Sequence, residues 1–576
     1  MSSGTVVKRY SFNETRVKTL IDDQEINWPV VYQIYDNAKL YVGETTCLQS
    51  RMLEHLDNTE KAQMTKFSVV FDKTYNKSVT LDLESQLIQW FSGDGKYKML
   101  NRNDGIASHK YYDRDKYRQD FANIWIKLQE IGIARRTITD IENSGLFKFS
   151  PYKELNEDQL NVVQNILTDM DEAFTQGNRT VSIISGKEGT GKTIVIMYLI
   201  KLIRDIQDFR DGDDVEPEQE FDPFFSEPFR SRFKNKTMAV VIPNTSLRGS
   251  VQKIFKSISN LSNGCVDILS PIQLGKTNKV YDITLIDEAH LLKRSGWSQQ
   301  SAKVAIEISQ QYFDGELSTE LDWVLKKSRN VVMVFGDQRV RPTHITKESI
   351  FASAKVDDHF VREYPLKSQM RSRGGEFYID YLQHVLSDSP PANMQNFDDF
   401  EFKIYDDFSR FVNDIREREQ EFGLCRLVAG FAWKWASKGS SPTSSICDIE
   451  IDGIKLKWNS TDNDWIGSVQ STEEVGSIYT IQGFDLNYCG VIVGNDLRYD
   501  QVRKKLIIDR GNYFDIGAKK RSKQQIEANV ELSDEELLEQ ITRIYRILMN
   551  RSIRGTYVYV CDRNLREYLS RYIEKA

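Results

Sequence analysis

No apolar run anywhere in the 576 residues approaches the ~20 needed to cross a bilayer, and the start, MSSGTVVKRYSFNETRVK, has no apolar core of a secretion signal. A cytoplasmic protein with no membrane partner is therefore expected. Cysteine is scarce: the six residues Cys47, Cys265, Cys425, Cys447, Cys489 and Cys561 form no CxxC pair, which speaks against a zinc site or a disulfide framework and for reduced thiols. Only 12 prolines occur, and neither an internal repeat nor a long low-complexity tract is present, so any disorder is local. Positive charge is not in excess either. Lys and Arg number 77 against 84 Asp and Glu, a net charge of −7, so binding of a polyanion has to rest on local clusters. Those clusters are Arg114, Lys116 and Arg118, then Arg135 with Arg136, then residues 503–505 and 519–523; each reads first as a solvated face.

What is present is a long chain of ordinary globular composition, 40% hydrophobic and 28% charged. Its length predicts roughly three or four compact units. Over residues 30–105, short β-branched runs alternate with one helix-like stretch, LDLESQLIQWF, which predicts a small mixed α/β unit. Tyr117, Phe121, Ile124, Trp125 and Leu128 then recur at helical spacing, predicting a helical connector over 114–131 whose aromatics serve packing. From residue 149 strands and helices alternate: TVSIISG, KTIVIMYLIKLI, MAVVIP, DITLIDE, NVVMVFGD. That is the pattern of parallel sheets covered on both faces, and two such sheets fit the remaining length. An acidic, proline-bearing stretch at 205–222 interrupts the order and reads as a surface insertion, with a substrate-gating flap as the functional alternative. The expected division is an extension at 1–27, a first domain at 28–110, a connector at 111–148, and two parallel-sheet domains at 149–360 and 361–576.

The central chemistry lies in GKEGTGKT, straight after the strand VSIIS and before an apolar helical run. Gly186, Gly189 and Gly191 let the backbone curl so that its N–H groups face phosphate oxygens, and the following helix adds its positive end. In this pattern Lys192 contacts the β and γ phosphates, and Thr193 places its hydroxyl on Mg²⁺. DITLIDEAH supplies what hydrolysis also needs. Asp287 is the expected metal-holding acid, and Glu288 the general base for water attacking the γ-phosphate. ATP and Mg²⁺ are the expected cofactors.

With those motifs in hand, the region 149–576 resembles the Schlafen group 3-like helicases, of superfamily I. The resemblance makes Gln159, in FSPYKELNEDQ, the reader of the adenine edge. It places Gln338, in VVMVFGDQRVRP, at the γ-phosphate sensor, and Gln369 and Arg371, in YPLKSQMRS, where a phosphate-binding arginine stands. LVAGFAWKW and IYTIQGFDLNYCGVIVG look like the second motor domain, with Gln482 and Gly483 linking nucleotide to nucleic acid. In YRILMNRSIRGTYVYV, Arg551 matches the arginine finger that offsets charge on the transferred phosphoryl group, with Arg554 as a second candidate. Ser533 with Glu536 predicts a capping box at the start of the helix leading there. Asn550 departs from the threonine common in relatives.

At the N-terminal end, VVYQIY, LYVGET, RMLEHL, LESQL and LNRNDG follow in an order that resembles the GIY-YIG nucleases. The resemblance assigns Tyr32 and Tyr41 to the paired tyrosines, Gly43 to the second-motif glycine, Arg51 to the phosphate-facing arginine and Glu84 to the Mg²⁺ ligand. His55 and Asn101 also align, and the base is left open among Tyr32, Tyr41 and His55. Val30 stands where the first motif carries glycine. The fold expectation is thus α/β: a small mixed domain followed by two RecA-like P-loop domains. The functional expectation is an ATP-hydrolysing helicase-like motor fused to a Mg²⁺-dependent endonuclease. DNA is favoured over RNA as partner, antiphage defence is the favoured setting, and a homo-oligomer or a defence-system partner is left open. The alternative is an ATP-driven switch whose N-terminal domain binds nucleic acid or a partner without cutting.

Overall fold

The computed structural model describes residues 4–20, 27–101, 111–153, 155–209, 221–258, 261, 264–295, 299–336, 343–368, 372–438, 446–461, 465–481, 483–515 and 532–576. The chain divides into two compact units. One comprises residues 1–175, 193–236 and 250–266, the other residues 176–192, 237–249 and 267–576. Among the described residues no helix is long and apolar enough to cross a membrane.

The first unit holds a five-stranded sheet made of β1 (Val6–Ser11), β2 (Val30–Tyr35), β3 (Lys39–Thr45), β4 (Lys66–Phe71) and β5 (Lys98–Met99), in the order β1-β4-β2-β3-β5. The central strand β2 is buried throughout, which suits its apolar and aromatic run. The expected boundary after residue 27 is not followed: β1 pairs antiparallel with β4 and completes the sheet edge. Val30, in the first-motif glycine position, is simply a core residue of β2.

The helix Lys77–Asp94 is capped by Asn76 and ends on left-handed Gly95. Against it lies the connector helix Arg114–Glu130, whose buried face is Phe121, Ile124, Trp125 and Leu128. Trp125 is fully buried and stands 5.0 Å from the ring of Phe91, so these aromatics form a core. Arg114 and Arg118, read above as a basic face, both pair with the buried carboxylate of Asp82, at 3.2 and 2.9 Å. The helix Lys192–Asp208 also packs in this unit. Of the insertion, residues 210–220 lie outside the described set, and with them the flap reading; the cluster at 519–523 lies outside it too.

The second unit carries both expected sheets. The first has six strands: β6 (Arg179–Gly186), β7 (Met238–Val241), β8 (Asp267–Leu269), β9 (Tyr281–Ile286), β10 (Ser328–Phe335) and β11 (His359–Leu366). All pairs are parallel, in the order β11-β6-β10-β9-β7-β8, so β6 and β9 flank the central β10. The second sheet has eight strands: β12 (Glu401–Tyr405), β13 (Arg426–Ala429), β14 (Ile449–Ile451), β15 (Ile454–Trp458), β16 (Glu474–Gly476) and β17 (Leu486–Val493), with β20 (Ser552–Val560) and β21 (Glu574–Lys575). Its order is β14-β15-β16-β13-β17-β20-β12-β21. A separate hairpin is formed by β18 (Leu497–Asp500) and β19 (Lys505–Ile508). The helix Asp534–Met549 opens with the expected capping box, Ser533 and Glu536 each bonding the other's backbone N–H.

Candidate functional site

The P-loop leaves β6 at its C-terminal end, where a parallel sheet presents its ligands. Gly189 and Gly191 have φ of +79° and +77°, a left-handed backbone that a side chain would strain. Gly186 is required for a different reason: a Cβ there would lie 2.8 Å from the Leu366 carbonyl oxygen and 2.9 Å from Thr190 Oγ1. The cradle is thus closed to anything larger than glycine. Lys192 Nζ curls over it, donating to the carbonyls of Gly186 and Lys187 at 2.8 and 2.7 Å. The ammonium is thus held at the loop by two backbone carbonyls, within reach of a phosphate bound at the start of the following helix. Thr193 follows as the second residue of the helix Lys192–Asp208.

Asp287 and Glu288 stand just past the end of β9. Asp287 is 2% exposed, and its Oδ1 accepts the Glu288 N–H at 3.0 Å. Glu288 is held at φ +53°, a strained conformation that turns its carboxylate out of strand geometry. His290 explains how that carboxylate is aimed. Its Nε2 lies 3.1 Å from Glu288 Oε2, while its Nδ1 accepts the Gly336 N–H at 3.4 Å. A backbone N–H can only donate, so the ring proton sits on Nε2 and is given to the glutamate. Gly336 directly follows β10, just ahead of the expected sensor, so this histidine ties Glu288 to the end of that strand. The sequence reading assigned His290 no role. Asp287, past the end of β9, and Thr193, in the helix after β6, are a carboxylate and a hydroxyl that could hold a divalent cation with substrate phosphates.

Gln159 is 1% exposed, and its Oε1 accepts the Asn156 N–H at 3.1 Å, so its carboxamide oxygen caps its own helix. Gln338, Gln369, Arg371 and Gln482 lie outside the described residues. Arg551 is 1% exposed. Its positive charge opposes the burial that pushes the Cys489 thiol upward, which sets it beside β17. The neighbouring Asn550 donates from Nδ2 to Glu188 of the P-loop at 2.8 Å. The residue that departs from the family thus touches the P-loop, as does Asp380, which pairs with Lys187 at 3.1 Å. Arg554 stacks on Phe422, 4.6 Å from the ring centroid, and lines a separate pocket of about 380 Å³ with Arg373 and Tyr488.

A second cavity, of about 990 Å³, is lined by Trp433, Trp435, Tyr479 and Phe514 together with the cations Arg248 and Lys434. Lys438 sits 5.3 Å from the Trp435 ring centroid. Aromatic faces interleaved with cations are what a single-stranded nucleic acid requires, bases on rings and phosphates on charges. Trp433, Trp435 and Tyr479 lie in the motifs quoted for the second motor domain, whereas Phe514 lies outside them; their convergence on one cavity is not visible in the sequence.

In the first unit the expected nuclease residues gather around Tyr32. Its Oη lies 2.7 Å from His55 Nε2, and its ring lies 6.3 Å from that of Tyr41. Burial pushes the Tyr32 phenol well above its ordinary range, Tyr41 pushes the same way, and Arg51 opposes both by charge and by a hydrogen bond. Glu84 is near enough to add its own upward push. Gly43 faces Tyr32 across the β2–β3 pair, where a Cβ would lie 2.4 Å from the phenol oxygen. Asn101 has a different task. Its carboxamide exchanges hydrogen bonds with both backbone groups of Val42, at 3.0 and 2.8 Å, clamping the strand between Tyr41 and Gly43. A buried lysine absent from the sequence reading, Lys61, lies 3.2 Å from His55 Nδ1. Among the described residues no group of three or more His, Cys, Asp or Glu is arranged to hold a metal; a single glutamate suffices for Mg²⁺ shared with a substrate phosphate.

A strand-borne P-loop, paired strand-end acids and a second parallel-sheet domain meeting the loop define a helicase-type P-loop protein. The Schlafen group 3 DNA/RNA helicase domain matches residues 179–562, and the chain belongs to that family. The Saccharomyces cerevisiae protein YPL245W is 27% identical over 427 residues, 68% of this chain and 84% of its own length. Among solved structures, an arterivirus nonstructural protein 10 helicase aligns with a TM-score of 0.27 at 11% identity, over 70% of this chain and 64% of the viral one. The chain thus spans less than two thirds of that helicase. A Pif1 helicase from Bacteroides, solved with ADP-AlF3 and single-stranded DNA, aligns with a TM-score of 0.25 at 13% identity, over 59% of this chain and 87% of its own.

Proposed function

We propose that the chain is an ATP-hydrolysing, nucleic-acid-tracking motor fused to a Mg²⁺-dependent endonuclease domain. The observation that carries the motor is the P-loop itself: a cradle closed to any side chain at Gly186, a lysine curled over it, and a glutamate aimed by His290. In this reading Lys192 and Thr193 take the triphosphate and its Mg²⁺, Asp287 holds the metal through water, and Glu288 receives the proton of the attacking water. Arg551 and Asn550 bring the second domain's response to the loop. The aromatic, cationic cavity is the track for the strand, with DNA favoured over RNA.

The nuclease reading is supported by convergence. Around Tyr32, His55 and Arg51 bond its hydroxyl while Tyr41 and Glu84 lie close enough to act on it by charge, a set in which a phosphodiester would find an arginine, a metal-binding acid and a general base. When bound, Mg²⁺ would supply a Lewis acid at the scissile phosphate, held by Glu84. The fold does not select the antiphage setting.

The deciding assay incubates the purified chain with plasmid and with labelled single and double strands of DNA and RNA, with Mg²⁺, with and without ATP. Lys192→Ala is expected to abolish ATP hydrolysis, and Glu84→Ala to abolish chelator-sensitive nicks. Persistence of ATP turnover in the first variant would remove the motor reading. A parental chain that hydrolyses ATP yet nicks no polynucleotide would instead be the switch without a cutter.

A further inference from the structure

We propose that Lys61 fixes His55 as the tautomer protonated at Nε2, so that His55 acts as a hydrogen-bond donor to Tyr32 and is not the general base of the N-terminal site. The assignment of a reaction to that site rests on the nuclease reading; the tautomer itself does not. Lys61 is 7% exposed, and its Nζ lies 3.6 Å from the centroid of the Tyr41 ring. A ring face holds a cation, so this nitrogen is an ammonium. An ammonium has donors and no lone pair. His55 Nδ1, at 3.2 Å from it, must therefore accept.

A neutral imidazole carries one proton, which is then on Nε2, the atom 2.7 Å from Tyr32 Oη. Protonating both nitrogens would set two cations face to face at Nδ1. A ring that already presents N–H to Tyr32 takes no proton from it. The Tyr32 oxygen receives one hydrogen bond from His55 and another from Arg51; burial, with Tyr41, still holds its phenol well above the ordinary range, and Arg51 opposes that push. The tyrosine pair is left as the source of the base.

Lys61 is built into this place rather than passing through it. It opens the 3-10 turn Lys61–Gln63, and its own N–H is held by Asn58 Oδ1 at 3.1 Å. Because it touches His55 and not a substrate, it is a positioning residue. A histidine tautomer set from behind by a fixed partner is a known way to decide which ring nitrogen serves the reacting group.

The test is nitrogen NMR on the full chain labelled at its six histidines, with His55 assigned by the signal lost in His55→Gln. The parental spectrum is expected to show the Nε2–H tautomer for His55. Lys61→Met is expected to release it to a mixture and to lower the cleavage rate roughly 10- to 100-fold, with Lys61→Arg restoring both. A parental His55 protonated at Nδ1, or a tautomer unmoved by Lys61→Met, overturns the proposal. Should Lys61→Met not fold, the parental spectrum decides alone. A chain that cuts nothing yet shows the Nε2–H tautomer fails the nuclease reading while leaving the Lys61 assignment standing.

Discussion

At Gly43 a single methyl group decides whether the cluster around Tyr32 can form. An alanine Cβ would sit 2.4 Å from the phenol oxygen and 2.5 Å from its ring carbon, so either the ring or the strand has to move. Overpacking of this kind costs about 1–3 kcal/mol, within what the sheet can absorb. Gly43→Ala is therefore expected to fold, with a Tm a few degrees lower, to lose cleavage by about two orders of magnitude, and to keep ATP hydrolysis. Cleavage at the parental rate would show that Tyr32 has no part in the reaction. His290 gives the matching prediction for the motor. His290→Ala frees the Glu288 carboxylate from its donor while leaving the P-loop untouched, so ATP turnover is expected to fall roughly 10- to 100-fold with nucleotide affinity preserved; equal loss of both would mark a merely structural histidine. The P-loop glycines, Lys192 and the Asp287–Glu288 pair stand out in the sequence because each motif is a few residues long. His290 and Lys61 do not, since each acts on a partner through space. Asn101 aligns in the sequence, and only the structure shows its carboxamide bonding both backbone groups of Val42.

Elements whose signal is local came through in the same way. The connector predicted over 114–131 is the helix Arg114–Glu130, and the apolar runs VSIIS, MAVV and VVMVF are β6, β7 and β10. What stayed hidden were pairings made over long separations. β1 was read as an extension because its partner β4 lies far along the chain, and the hairpin of β14 and β15 joins the second sheet through a short parallel contact with β16. One such long-range junction carries a titration. Asp496, at the turn after β17, accepts the Tyr545 hydroxyl of the helix Asp534–Met549 at 2.7 Å, and that hydroxyl also accepts the Gly494 N–H. Burial pushes the Asp496 carboxyl from 3.8 up to about 7. Between those values the folded chain holds a proton that the unfolded chain has released, so this group's contribution to stability falls as pH rises through the window and levels off above it. The steepest slope is about 1.4 kcal/mol per pH unit. Asp496→Asn removes the term. Relative to the parental chain the variant is expected to gain stability steadily from mildly acidic to neutral pH, as read by denaturation midpoints. A difference between the two that does not change with pH would place a neutral-pH carboxylate there instead.

At the scale of the whole molecule, the proposed function predicts that ATP bound at Lys192 would act on the tyrosine strand through the helix Lys192–Asp208. The helix that begins at Lys192 runs to Asp208, and Lys201 lies about 13 Å along it at 1.5 Å per residue. There Lys201 pairs with Asp205 at 2.7 Å and sits 4.9 Å from the centroid of the Tyr152 ring. Tyr152 in turn donates its hydroxyl to the Asn101 carbonyl at 3.0 Å. Asn101 is the residue whose side chain clamps Val42, between Tyr41 and Gly43. A displacement of the helix thus reaches the tyrosine strand through one aromatic ring and one hydrogen bond, both buried. Spatial continuity alone does not establish coupling, so the chain of contacts has to be tested energetically. Tyr152→Phe keeps the ring under Lys201 and removes only the bond to Asn101. If the two sites communicate by this route, the ratio of the cleavage rate with ATP to the rate without it moves toward one in Tyr152→Phe, while ATP hydrolysis stays at its parental rate. Combining Tyr152→Phe with Lys201→Met should then add nothing further to that ratio, because both act on the same link. A ratio unchanged in Tyr152→Phe would mean that ATP acts on the cutter through the bound strand and not through the protein.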